Sequence, residues 1–295
     1  MYNSTLSIDE VTLALREAFE NASIGEVQKA IAALDEVIRS ESDERTKGFL
    51  NFIKADYTNL INQSNAQQVL QAARSLNSGV IAPIAGIQYE KILNNKAQAI
   101  SILEYLRSVS LDPNECILHI NAVLDDLVFN SDSSADVFEQ ALEEVGAMLG
   151  FKSSRPDKEG TGGPDNLWAI GNNSYCVIEC KSGAITNFIS KEYCNQLGGS
   201  VRWFVNKYGT NYNCIPVMVH PSNIIHELAT PLQNMRIITQ ATLDTFKKRI
   251  SDFFAALVQS SGLYDETQIR TLLASYRLRS SEVVGSNTVS SKTNN

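Results

Sequence analysis

Asp165, Glu179 and Lys181 are residue types, at a spacing, that could hydrolyse a phosphodiester. Asp165 follows a Gly-Gly-Pro turn and heads an apolar segment. Glu179-Cys180-Lys181 closes a strand-like run that begins at Tyr175. Paired carboxylates suit a hard divalent cation such as Mg²⁺ or Mn²⁺, which takes oxygen ligands. Such a cation polarises a phosphate and makes a nucleophile from water. A lysine beside it can orient that water or stabilise the developing negative charge. Side chains two apart on a strand share a face. Glu179 and Lys181 are therefore predicted to share a cleft, with Cys176, Ile178 and Cys180 turned into the core. Charged groups at the end of an apolar strand are costly unless paired or metal-bound.

Those residues need elements to hold them. Residues 167–170 and 175–181 read as a β-hairpin around a turn at 171–174. Residues 136–150 carry Phe138, Ala141, Leu142, Val145, Met148 and Leu149 at helical spacing. On a wheel turning about 100° per residue, Glu139 lies about 100° from Phe138, Glu143 about 140°, and Glu144 about 120° on the other side. Glu139 is thus nearest the buried stripe and is the candidate third ligand; three solvated glutamates are the plain alternative. Between helix and hairpin come Pro156-Asp157, which leads into more loop, and the glycines Gly160, Gly162 and Gly163, which no P-loop lysine follows. Downstream, a helix is expected over 190–208, strands over 214–220 and 236–239, and helices over 241–259 and 265–278. His220 ends a strand and is a candidate phosphate contact. The polar stretch 281–295 reads as a disordered tail.

Residues 1–130 read as a series of helices, at 7–22 with Ser7 as N-cap, then 23–40, 46–62, 66–77, 87–108 and 114–129. No chemical motif falls in this half, so it is expected to be an all-helical domain for dimerisation, sensing or docking. It holds 10 Lys and Arg against 17 Asp and Glu, a net −7, and residues 131–295 hold 15 against 16, a net −1. A divalent ion in the second half would turn it positive, which permits phosphate contact without tight non-specific binding. The five cysteines form no CxxC pair and read as buried free thiols. There is no signal-peptide pattern and no apolar run of transmembrane length, so a cytoplasmic protein away from membranes is predicted.

The central segment resembles the PD-(D/E)XK, restriction-endonuclease-like, nuclease superfamily. Pro164-Asp165 matches the PD and Glu179-Cys180-Lys181 the (D/E)XK. The order of Phe138-Glu139, Gly150-Phe151, Pro164-Asp165 and Ile178-Glu179-Cys180-Lys181 is similar to Mrr-like members. The resemblance implies an α/β fold with an α-β-β-β-α-β core over residues 131–280. It implies a metal held by Glu139, Asp165, Glu179 and the Cys180 backbone carbonyl. Lys181 would act on the attacking water, with Gln196 (or Lys191) assisting from the following helix. DNA, or RNA, would be the substrate, Mg²⁺ or Mn²⁺ the cofactor, and bacterial anti-phage defence the setting, with a homo-oligomer or partner protein at the helical half. Two rivals stand beside it. One is an inactive nuclease-fold subunit that binds nucleic acid or protein. The other is a cysteine hydrolase using Cys180 or Cys194 with His220.

Overall fold

The computed structural model describes residues 9–83, 89, 91–109, 112–130, 135–158, 161–260 and 265–293. The chain divides into two units, residues 1–90 with 158–161, and residues 91–157 with 162–295. Among its described residues the first unit is helical: α1 (Glu10–Ser23), α2 (Val27–Ser40), α3 (Glu44–Asn59) and α4 (Gln63–Leu76). Ser7 lies outside the described residues. Asp9 caps α1 by accepting the Thr12 N–H at 2.8 Å, which satisfies one of the free donors of the first turn. Ala18, Ala30, Leu34, Val37 and Leu50 form the core of α1 to α3.

The second unit begins with α5 (Gln98–Val109) and α6 (Pro113–Asp125). The sequence places these helices in an N-terminal domain ending at residue 130; the structure moves the boundary to residue 90. Their apolar residues Ile102, Leu106, Ile120 and Leu124 share one core with Phe138, Leu142, Phe253 and Phe254. Periodicity shows that a helix has a face to bury but is silent on what buries it. The helix expected from residue 87 starts only at Gln98 because residues 92–94 are tied elsewhere; Ile87 itself lies outside the described residues. The Tyr208 hydroxyl accepts the Ile92 N–H at 3.0 Å, and the Tyr175 hydroxyl donates to the Ile92 carbonyl at 2.9 Å. The Asn94 amide donates to the Ala169 carbonyl at 3.0 Å.

After α7 (Ala135–Met148) come β1 (Lys152–Ser154), β2 (Asn166–Gly171), β3 (Ser174–Cys180), α8 (Lys191–Tyr208) and β4 (Asn213–Val219). Then follow β5 (Ile224–Ile225), β6 (Arg236–Ile238), α9 (Gln240–Gln259), α10 (Glu266–Ser275), α11 (Val283–Asn287), β7 (Val289–Ser290) and β8 (Lys292–Thr293). The main sheet is mixed, in the order β1-β2-β3-β4-β6-β7; β5 and β8 pair separately. Strands β1 to β3 are antiparallel neighbours, and β3, β4 and β6 run parallel. The β2–β3 turn places Asn172 and Asn173 at φ 50° and 55°, the left-handed pair that matches strand twist in a two-residue hairpin.

The sheet separates two sets of helices. Ile178 and Cys180 join the core with α5, α6, α7, α9 and α10. On the opposite face Tyr175 meets Phe204 and Tyr208 of α8, at 5.1 and 4.9 Å between ring centroids. Helix α9 buries Leu243, Phe246, Ile250, Phe253, Phe254 and Leu257, the inward set its periodicity predicts, each worth about 1.5–3 kcal/mol of transfer free energy. Among the described residues no helix is long and apolar enough to cross a membrane.

The expected disordered tail is ordered through Thr293; residues 294 and 295 lie outside the described residues. Val283 is buried and β7 pairs with β6. Two arginines fasten it: Arg236 donates to the Thr288 hydroxyl (2.8 Å), the Thr288 carbonyl (2.9 Å) and the Ser290 hydroxyl (2.8 Å). Arg249 donates to the Ser286 carbonyl at 2.7 Å and the Asn287 side chain at 2.6 Å. Truncation after Ser281 strips both guanidiniums of these partners and uncovers the β6 edge. Denaturant unfolding is expected to show a loss of about 3 kcal/mol or more; an unchanged midpoint would mean the tail is not integral.

Candidate functional site

The hairpin register builds the site. Asn166 of β2 stands opposite Ile178 of β3, so Asp165, one residue earlier, faces the level of Glu179. The Asp165 Oδ2 accepts the Cys180 N–H at 2.7 Å, which pins this carboxylate to the end of β3. The Lys181 Nζ lies 3.3 Å from Glu179 Oε2 and 3.9 Å from Asp165 Oδ2. Two acids distant in sequence therefore converge on one ammonium. The loop entering the site is tight: a Cβ on Gly163 would lie 2.6 Å from the Pro156 Cβ and 2.9 Å from the Trp203 ring. A bridge from the Asp157 N–H to the Pro164 carbonyl, 3.2 Å, closes the loop just before Asp165.

Helix α8 contributes two groups that sequence reasoning missed. The Ser200 hydroxyl donates to Glu179 Oε1 at 2.5 Å. The Tyr193 ring lies under the Lys181 ammonium, 5.6 Å from Nζ to centroid, within cation–π range. The Ser190 cap, accepting the Tyr193 N–H at 3.2 Å, sets where this helix begins. No motif advertises Ser200; the only available signal is its place one turn beyond Gln196. Gln196 itself is exposed on that face of α8, at the rim and not among the buried groups.

Glu179 is only 5% exposed. Burial, and then the charge of Asp165, push its carboxyl up to about 7; the Ser200 bond and Lys181 pull it back. For Lys181, burial acts downward, but the charges of Asp165 and Glu179 outweigh it and leave the ammonium raised. The lysine is therefore a fixed cation, and Glu179 is a carboxylate with less positive charge around it than it needs.

Glu139, the expected third ligand, faces a different cation. Arg155 holds it, Nη2 to Oε2 at 2.6 Å, and also holds Asp136 at 2.7 Å. Arg155 is 6% exposed, so this is a buried ion cluster, where a charge is tolerated only when paired. Glu139 borders the site through its backbone: its carbonyl accepts the Asn166 side-chain amide at 2.9 Å, and the Asn166 Oδ1 accepts the Cys180 thiol at 3.6 Å. Glu144 bonds the Tyr105 hydroxyl at 2.6 Å instead. Among the described residues no group of three from His, Cys, Asp and Glu could hold a metal ion. The arrangement offers a carboxylate pair and a lysine.

His220 is fully buried, which corrects the expectation that it touches a phosphate. Burial pushes the Cys180 and Cys194 thiols up, and the acids around Cys180 add to its shift, so neither is a ready nucleophile. Gly160 lies outside the described residues. Comparison of the chain with known protein families, with curated proteins and with solved structures finds no match.

The raised carboxyl of Glu179 fixes the sign of a pH effect. At acid pH the residue is protonated in folded and unfolded chains alike. From the ordinary carboxylate range up to about 7 the folded chain keeps a proton that the unfolded chain releases. Its contribution is thus fully present at the acid end and lost as pH rises through that window. Unfolding midpoints of the metal-free protein are expected to carry this component, and Glu179→Gln is expected to remove it.

Proposed function

We propose that the second unit is a PD-(D/E)XK-type nuclease that hydrolyses DNA phosphodiesters with Mg²⁺ or Mn²⁺. One observation carries the reading: Asp165 and Glu179 share Lys181 at 3.9 and 3.3 Å while Glu179 is pushed up to about 7. Two largely buried carboxylates that share one ammonium fit a hard cation, and Mg²⁺ is commonly bound by one or two carboxylates plus waters and substrate phosphate. Asp165 and Glu179 would hold the ion. The Cys180 carbonyl leaves β3 by the edge from which its N–H reaches Asp165 and would add a third oxygen. A bound divalent ion supplies Lewis acidity toward the phosphate and acidifies a water. Lys181 orients that water and offsets charge on the phosphate oxygens. Ser200 fixes the Glu179 carboxylate in one rotamer, and Gln196 at the rim is placed to meet substrate. The element order α7-β1-β2-β3-α8-β4 supports a restriction-endonuclease-like core. The helical first unit would serve a second copy or a partner protein, as the effector of an anti-phage system or otherwise.

A second reading draws on a specific observation. Arg155 pairs with Glu139, which engages one carboxylate the nuclease pattern uses. The unit would then be an inactive nuclease-fold subunit that binds nucleic acid or protein.

Cleavage of supercoiled DNA, single strands and RNA with Mg²⁺ or Mn²⁺ separates the two. The nuclease reading expects cutting that EDTA abolishes and that Asp165→Ala, Glu179→Ala and Lys181→Ala each lower by about 100-fold or more. Ser200→Ala is expected to lower it by about tenfold. No cutting of any substrate by the wild type would leave the binding subunit.

A further inference from the structure

Among the described residues, His220 is a buried ionisable group beside Lys181 to which the proposed chemistry gives no task. In β3 and β4 Cys180 stands opposite Val219, and the Lys181 N–H donates to the Val219 carbonyl at 2.8 Å. The next residues, Lys181 and His220, are therefore lateral neighbours at the ends of two parallel strands. Both side chains converge on one ring of α8. The Lys181 Nζ lies 5.6 Å from the Tyr193 centroid, and the imidazole centroid lies 5.9 Å from it, with the planes at 57°.

The imidazole is an odd choice for packing alone. The residue is fully buried and its Nε2 has no hydrogen-bond partner. Phenylalanine would fill similar space without stranding a polar atom, a costly thing to bury. Its other nitrogen, Nδ1, has two alternatives on Ser222: it donates to the carbonyl at 2.9 Å, or accepts the N–H at 3.0 Å. One atom cannot do both at once, so the pair of contacts marks a choice of tautomer. With Nδ1–H on the carbonyl, Nε2 carries a bare lone pair. That form is electrostatically favoured when an ammonium shares the neighbouring ring. With Nδ1 accepting, Nε2 carries a hydrogen whose positive end opposes the same cation.

We infer that His220 is a positioning residue for Lys181: a neutral imidazole, protonated at Nδ1, that works through the Tyr193 ring to hold the ammonium over Asp165 and Glu179. The ammonium then has two carboxylates within 3.9 Å and, 5.6 Å away, a ring that the imidazole also packs against. The coupling is a property of the geometry; its effect on turnover rests on the nuclease reading above.

Two measurements keep the two apart. The first needs no activity: ¹⁵N NMR of the His220 ring in metal-free protein near neutral pH. The expected result is a ring protonated at Nδ1 in the wild type, with the Nε2–H form gaining population in Lys181→Met. A ring protonated at Nε2 in the wild type, or a tautomer balance indifferent to Lys181→Met, overturns the inference whether or not the protein cuts DNA. The second measurement is turnover. His220→Phe is expected to lower kcat about tenfold with KM within about twofold, and His220→Gln, whose amide can still bond Ser222, to recover part of the loss. Wild-type kcat in His220→Phe overturns the positioning role. If the wild type cuts nothing, the nuclease reading fails and the tautomer measurement alone decides the coupling.

Discussion

Two carboxylates brought together at a dry strand end repel each other, and most of what surrounds Glu179 exists to offset that repulsion. At an effective dielectric of about 20, unit charges about 4 Å apart interact by about 4 kcal/mol. That is a large share of what holds a domain folded. The hairpin imposes the proximity, because Asp165 is pinned by the Cys180 N–H and cannot turn away. Lys181 supplies the positive charge from the end of the same strand, and Ser200 supplies a hydrogen bond from the helix packed on that face. Helix α8 is thus part of the electrostatics of the site as well as a cover for β3 and β4. What these groups leave uncompensated is visible in Glu179, whose carboxyl stays near 7 despite them.

Register is the second constraint, and it is set far from the acids. The turn at Asn172 and Asn173, together with the one-residue register shift between Ala169 and Gly171, fixes which β2 residue faces which β3 residue. A slip of one residue would exchange the two faces of β3. Glu179 would then point at the Phe253–Phe254 core, and Cys180 would meet Ser200. Such a slip would carry Glu179 and Lys181 together toward the apolar core, away from Asp165 and Ser200, so the charged groups themselves select the correct register. The side chains proposed to do the chemistry also help to specify the fold.

What was legible in the sequence was local. Alternation along β3 foretold that Glu179 and Lys181 share a face, and periodicity foretold the buried set of α9. The grouping of Asp165 with them followed from a turn and a hairpin, both short-range. The rest was not legible, because it depends on meetings between distant segments. Arg155 reads as an ordinary loop charge until Asp136 and Glu139 close on it. Ser200 carries no signature in a helix with many polar residues. Helices α5 and α6 are unmistakable as helices, yet their burial beside α7 and α9 cannot be seen in their own pattern. The tail misled for a different reason: its strands are two residues long, too short for any alternation to show. Its docking comes from Arg236 and Arg249, which lie about 40 to 50 residues upstream.

Arg155 also decides how α7 serves the site. A free Glu139 would add a third negative charge to a pair already short of compensation. Arg155 offsets part of that charge while also serving Asp136, and α7 is joined to β3 through the neutral amide of Asn166. The helix can therefore be placed accurately while its carboxylate stays with Arg155. A cation gripped by only two protein carboxylates must complete its shell with water, the Cys180 carbonyl or phosphate oxygens. On the nuclease reading the substrate would then be part of the ion's own binding site, and metal and nucleic acid would each bind better in the presence of the other. That coupling suits an acidic chain, since the attraction to phosphate would come from an ion recruited with the substrate and not from a standing basic surface.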